Sequence, residues 1–153
     1  LTGTFSAGLA ATGDDIILGS EEGTLYCVGK LNGQVRWKRT LDVPVKGALT
    51  VRGRYVFVAG KAGELLAVDN ATGDVVPLDT GAGGASRGPV AATDRIFFAT
   101  GNLLAAFAPR AEGYGLAWTF HAEGPIRAGP TVVGNAVYVG DEKGNFYRIE
   151  AND

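Results

Sequence analysis

Residues 55–76, YVFVAGKAGELLAVDNATGDVV, spell out a strand, a tight hairpin, a second strand, a polar turn and the opening of a third strand. Val56-Phe57-Val58 is an apolar run of strand length, and Gly63 in Lys61-Ala62-Gly63 supplies the positive φ that a short hairpin loop demands. Strand Glu64 to Val68 follows, then the turn Asn70 to Gly73, then strand Asp74 to Leu78. Relatives of this stretch recur about every forty residues, and a fixed period of that size is the signature of stacked repeats such as propeller blades.

Working outward, the same grammar reads four times. The first unit runs through an inner strand Ala7 to Ala11, then Ile16 to Gly19, a hairpin at Gly23, Thr24 to Val28, the turn Lys30-Leu31-Asn32-Gly33 and a strand carrying Trp37. The quoted unit is preceded by its own inner strand, Gly47 to Val51. The third unit uses Pro89 to Ala92, Ile96 to Thr100, a shortened hairpin at Gly101-Asn102 and Leu103 to Phe107. A longer loop, Pro109 to Gly115, then leads to a strand carrying Trp118. The fourth uses Pro130 to Val133, Ala136 to Gly140, a hairpin at Gly144 and Asn145 to Ile149. Second strands such as Val56-Phe57-Val58 and Ile96-Phe97-Phe98 are apolar without alternation, which predicts sheets buried on both faces. The expected fold is all-β: a β-propeller of about four four-stranded blades over approximately 5–40, 45–80, 86–120 and 127–153.

Composition agrees with many short strands. Twenty-four glycines in 153 residues mark frequent tight turns, and no long segment has apolar residues at helical period. A formal net charge of −2 provides no global field for nucleic acid, and no apolar run is long enough for a spanning helix. A single cysteine, Cys27, excludes an intrachain disulfide. The absence of methionine and the Leu-Thr-Gly-Thr-Phe start suggest a mature or excised piece of a longer product.

The segments Cys27 to Trp37 and Ala67 to Pro77 resemble the tryptophan-docking motif of the PQQ-like propeller repeats. That superfamily includes quinoprotein alcohol dehydrogenases and the periplasmic propeller lipoprotein of the outer-membrane β-barrel assembly machinery. The resemblance implies that Trp37 and Trp118 pack between neighbouring blades, and that Asp69 and Thr72 brace a turn carrying Gly73, with Gly33 in the matching turn. Three departures stand out: Gly29 replaces the usual Asp, Pro77 replaces the Trp, and extra residues precede Trp118. The junction at Pro77 is therefore expected to be looser than its neighbours.

The fourth unit stops before positions matching Gly33 to Thr40, so its sheet is expected to lack an outer strand. An open arc exposes an apolar face at each end, beyond the few hundred Å2 that monomers tolerate. Three closures remain open: excision from a longer propeller, a self-closed four-bladed ring, or two arcs pairing as a homodimer into an eight-bladed ring. The symmetric pair is favoured, because blades of this length suit wide rings.

No constellation of reactive groups stands out. His121 and Cys27 lie at different positions of different units, and Cys27 reads as a small buried hydrophobe. The acidic hairpins Glu21-Glu22 and Asp141-Glu142 lack calcium-loop spacing. Gly81-Ala82-Gly83-Gly84 leads into a strand and not into the helix a phosphate cradle requires. The remaining pattern comes from the repeat: Ser6, Lys46, Ser86 and Arg127 occupy one place in successive units, with Arg87 beside Ser86. Together they predict a partly basic rim around a central funnel, facing an acidic ligand or partner segment. The expectation is a non-catalytic binding or scaffold module for protein or peptide partners, with no cofactor. The resemblance adds an extracytoplasmic location, and its alternative is a PQQ-binding sensor or part of a PQQ-dependent dehydrogenase.

Overall fold

A computed structural model describes residues 1–5, 8–45, 47–84 and 86–152 of the chain. Its strands form four antiparallel sheets in chain order, each a meander of sequence neighbours. The first sheet holds β1 (Leu9–Ala11), β2 (Asp15–Gly19), β3 (Thr24–Gly29) and β4 (Val35–Thr40). The second holds β5 (Thr50–Arg52), β6 (Tyr55–Ala59), β7 (Leu65–Asp69) and β8 (Val75–Leu78). The third holds β9 (Val90–Ala92), β10 (Arg95–Thr100), β11 (Leu103–Pro109) and β12 (Tyr114–His121). The fourth has three strands, β13 (Thr131–Val133), β14 (Ala136–Gly140) and β15 (Phe146–Glu150). No helix is long and apolar enough to cross a membrane among the described residues.

Burial explains why the second strands lack alternation. On β6, Val56 and Val58 enter a core shared with the first sheet, while Phe57 and Ala59 enter one shared with the third. On β10, Ile96 and Phe98 point back to the second sheet, and Phe97 and Ala99 point on to the fourth. Alternate side chains thus fill opposite junctions, so every position must be apolar. The three cores differ in kind. The first is aliphatic, built on Ile17, Leu25, Val45 and Val58; the second gathers Phe57, Phe98 and Phe107; the third joins Phe97 to Val137 and Val139.

Two expectations about the outer strands need correction. The stretch expected to be a longer, less regular loop from Pro109 to Gly115 is a hairpin with four connecting residues, because β11 and β12 pair as far as Pro109 opposite Tyr114, and Arg110 N–H closes the turn on the Gly113 carbonyl at 3.0 Å. Pro77 also does not occupy the tryptophan position. Cys27 faces Trp37 and Ala106 faces Trp118, but Ala67 faces Val76. The reason is a β-bulge. Register shifts where Val28 pairs with Val35 and Cys27 with Trp37, and again where Phe107 pairs with Leu116 and Ala106 with Trp118. The extra residues, Arg36 and Ala117, advance each tryptophan by one place, and β8 runs against β7 without that step.

Candidate functional site

The rim residues come together only in part. Ser6 and Lys46 lie outside the described residues. Ser86 is a tie between sheets: its hydroxyl donates to the Gly60 carbonyl at 2.5 Å. Arg87 and Arg127 do meet, with Arg87 Nε donating to the Arg127 carbonyl. Arg127 in turn holds Glu142 with both guanidinium arms, at 2.6 and 3.2 Å. Hydrogen bonding to Arg127 holds the Glu142 carboxyl below its usual range, and the charge of Arg87 adds to the effect. The expected cationic rim is therefore partly neutralised by an acid that reading by equivalent positions passed over, because Glu142 belongs to a hairpin tip and not to the inner turn.

Each tryptophan reaches forward one sheet. Trp37 Nε1 donates to the Asn70 carbonyl at 3.0 Å, and Trp118 Nε1 donates to the Ala151 carbonyl at 3.2 Å. Asn70 and Ala151 are matching turn positions after β7 and β15. The Asn70 turn is braced by Asp69, whose Oδ1 accepts Ala71 N–H at 2.9 Å and Thr72 N–H at 3.3 Å. Arg54 donates to the other oxygen. Burial would raise the Asp69 carboxyl, and Arg54 with the two turn amides overcomes it and holds the group below its usual range. Thr72 Oγ1 donates to Asp74 at 2.8 Å. Gly73, at φ +76°, is a close-approach position: a Cβ there would meet the Trp37 ring at 3.1 Å. In the first sheet the matching Gly33 has nothing within 4 Å of a Cβ, and Leu31 beside it is fully exposed.

The middle junction has no indole. Val76 stands in its place, 50% exposed. From the opposite side Tyr114, at the start of β12, reaches back onto Phe57 and Tyr55 with edge-to-face ring contacts at 4.9 and 6.0 Å. What remains is a cleft of about 710 Å3, lined by Tyr55, Val76, Leu78, Tyr114, Arg52 and Arg110 among others. Nothing in a repeat alignment announces Tyr114, because it enters from the shifted hairpin.

Asp141 is a structural hub, not a hairpin ornament. Its Oδ2 accepts from Gly124 N–H and Asn145 Nδ2 at 3.0 Å and from the Tyr147 hydroxyl at 2.9 Å. Its Oδ1 accepts Lys143 N–H at 3.0 Å and Asn145 N–H at 2.9 Å. Partial burial opposes the charge, yet these donors, Asn145 foremost, hold the carboxyl far below the usual range. Among the described residues no group of three acidic, histidine or cysteine side chains is placed to hold a metal ion. Cys27 is fully buried opposite Trp37, and burial pushes its thiol up to about 11. His121 ends β12 and is exposed.

The two outermost sheet faces are open and carry exposed apolar side chains, with the Arg148–Glu150 ion pair beside them on the fourth sheet. Leu9, on β1, is 62% exposed beside its partner Leu18. On the fourth sheet Val133 is 64% and Phe146 74% exposed, and the Phe146 ring stacks on Tyr138 at 5.8 Å.

Comparison with known proteins places this architecture. A family model described as outer membrane protein assembly factor BamB matches residues 1–76. Among solved structures, BamB from Moraxella catarrhalis superposes with a TM-score of 0.81 at 18% identity, over 97% of this chain and 47% of that one. The chain thus spans about half the length of that protein. The computationally designed Ika4 protein matches with a TM-score of 0.79 at 17% identity, over 98% of this chain and 92% of that one. The designed Ika8 protein gives 0.77 at 18%, over 95% and 45%. Identities this low establish the fold alone. No curated protein matches the sequence.

Proposed function

We propose, for a chain that belongs to the PQQ-like β-propeller repeats, a role as a protein-interaction scaffold: a propeller arc whose sheet faces and edges bind other polypeptides. The observation that carries it is the pair of open end faces. Leu9 with Leu18 at one end, and Val133, Tyr138 and Phe146 at the other, are side chains of the kind buried between sheets elsewhere in the molecule. Apolar faces of that kind mark protein contacts on soluble domains.

The occupant this reading favours is a second copy of the chain. Stacked head to tail, the fourth sheet of each copy would meet the first sheet of the other, and two arcs would close an eight-bladed ring. Further partners are protein or extended peptide, without nucleic acid or membrane insertion, and the likeness to BamB supports an extracytoplasmic setting. The scaffold is non-catalytic and needs no cofactor.

Light scattering on a sizing column across a dilution series tests the pairing. The expected result is twice the 15.8 kDa chain mass, falling to one chain mass for Phe146→Lys with the β-sheet circular dichroism retained. A wild-type monomer at every concentration rejects the homodimer. Saturable quenching of Trp37 and Trp118 fluorescence by PQQ would instead favour the quinone-binding sensor or a dehydrogenase fragment.

A further inference from the structure

The cleft between the second and third sheets has a shape set by the repeat itself. Two junctions are closed at the rim by an indole from the preceding sheet, hydrogen-bonded to a turn carbonyl of the next. In the middle junction the same strand position carries Val76, and the absence of a bulge in β8 leaves no residue to advance into the gap. A cleft of about 710 Å3 lies where the wedge would sit, within the usual range of ligand pockets. Its floor is aromatic: Tyr114 and Tyr55 meet edge to face, and Tyr114 packs likewise on Phe57. Such a cluster offers ring faces and edges to one more aromatic group.

Its charge is also specified. Arg54 is bound to Asp69, and Arg110 spends one arm on the Leu116 carbonyl. Arg52 also lines the cleft, and Glu112 is the one carboxylate among its lining residues. The cations outnumber the acids, so the mouth favours a carboxylate beside the apolar group.

We propose that this cleft is a socket for an aromatic side chain, an indole foremost, presented by an extended partner peptide with acidic residues next to it. The proposal rests on the reading of the chain as a protein-interaction module and gives that module a defined site. The incoming ring lies against Val76 and Leu78 and over the Tyr55 and Tyr114 pair, as Trp37 and Trp118 lie in their own junctions. The flanking carboxylate pairs with Arg52 or with the free arm of Arg110.

The test uses fluorescein-labelled Glu-Asp-Trp-Asp-Glu and three competitors: the same peptide with alanine for tryptophan, the same with lysines for the acids, and free indole-3-acetate. Anisotropy is expected to give saturable binding to the whole chain, weakened at least tenfold by either peptide change. Val76→Trp, which fills the cleft from within, should abolish binding, and Arg52→Glu, a charge reversal at the cleft with the β-sheet circular dichroism as its folding control, should weaken it about fivefold or more. Undiminished binding to both variants overturns the socket while leaving the module reading intact, since the peptide then sits elsewhere. Equal competition by indole-3-acetate and the full peptide overturns the peptide occupant in favour of a small aromatic acid. No binding of the tryptophan peptide overturns the socket; if a display library of random peptides also yields no binder, the module reading fails with it.

Discussion

The junction between the first two sheets and the junction between the middle two solve one packing problem in opposite ways. The first has an aliphatic interior and an indole at its rim; the middle one concentrates Phe57, Phe98 and Phe107 inside and leaves its rim to Tyr114, approaching from the far side. Interior bulk and rim closure are therefore set independently. The interior follows from side-chain volume on the inner strands, whereas the rim depends on whether the outer strand carries a bulge.

That contrast predicts a ranking of substitutions. Trp118→Ala removes a half-buried ring and its hydrogen bond, and should cost about 2–3 kcal/mol, somewhat under the range for a fully buried aromatic. The urea midpoint should fall with an unchanged slope, and Val76→Ala at the matching position should lower it far less. Asp141→Asn addresses the link between the third and fourth sheets. The Asp141 carboxyl is held below its usual value, so its contribution is present above the unfolded-state pKa and is lost as pH falls through the folded-state value. Stability measured between pH 5 and pH 2 should decline in the wild type, and the Asn variant should start lower and decline less. Val76→Trp tests the middle junction directly; filling the cleft should raise stability by about 1 kcal/mol, and a loss would mean that a tryptophan cannot be seated without the bulge. The smallest effect concerns Thr93, a β-branched residue at φ +54° where the neighbouring units have Gly53 and Gly134. Thr93→Gly should gain about 0.5 kcal/mol in thermal or urea unfolding, relief of strain exceeding the added chain entropy.

Much of the architecture was legible because it is written in local chemistry. Gly23, Gly63 and Gly144 all adopt positive φ, as the hairpin reading requires. The unbroken apolar second strands announced burial on two faces. Less was legible wherever one residue changes a register. A bulge inserts a single position, and neither period nor composition distinguishes Arg36 or Ala117 from an ordinary strand residue, so Pro77 was aligned where Val76 stands. The rim suffered from a related limit. Repeat equivalence finds residues at the same place in successive blades, but Arg127 is neutralised by Glu142 from a different place in its own blade. In sequence Asp141 is only one half of an acidic hairpin, because its five donors are spread from Gly124 to Tyr147.

Cys27, the chain's single thiol, lies beneath the indole of the first junction, sealed from solvent and held in its protonated form at neutral pH. Alkylating reagents can reach it only while the two sheets have parted, so the modification rate becomes a clock for that opening alone. The molecule carries its own probe of one interface, and Trp37→Ala should quicken the clock by the factor that the indole contributes to keeping the sheets together.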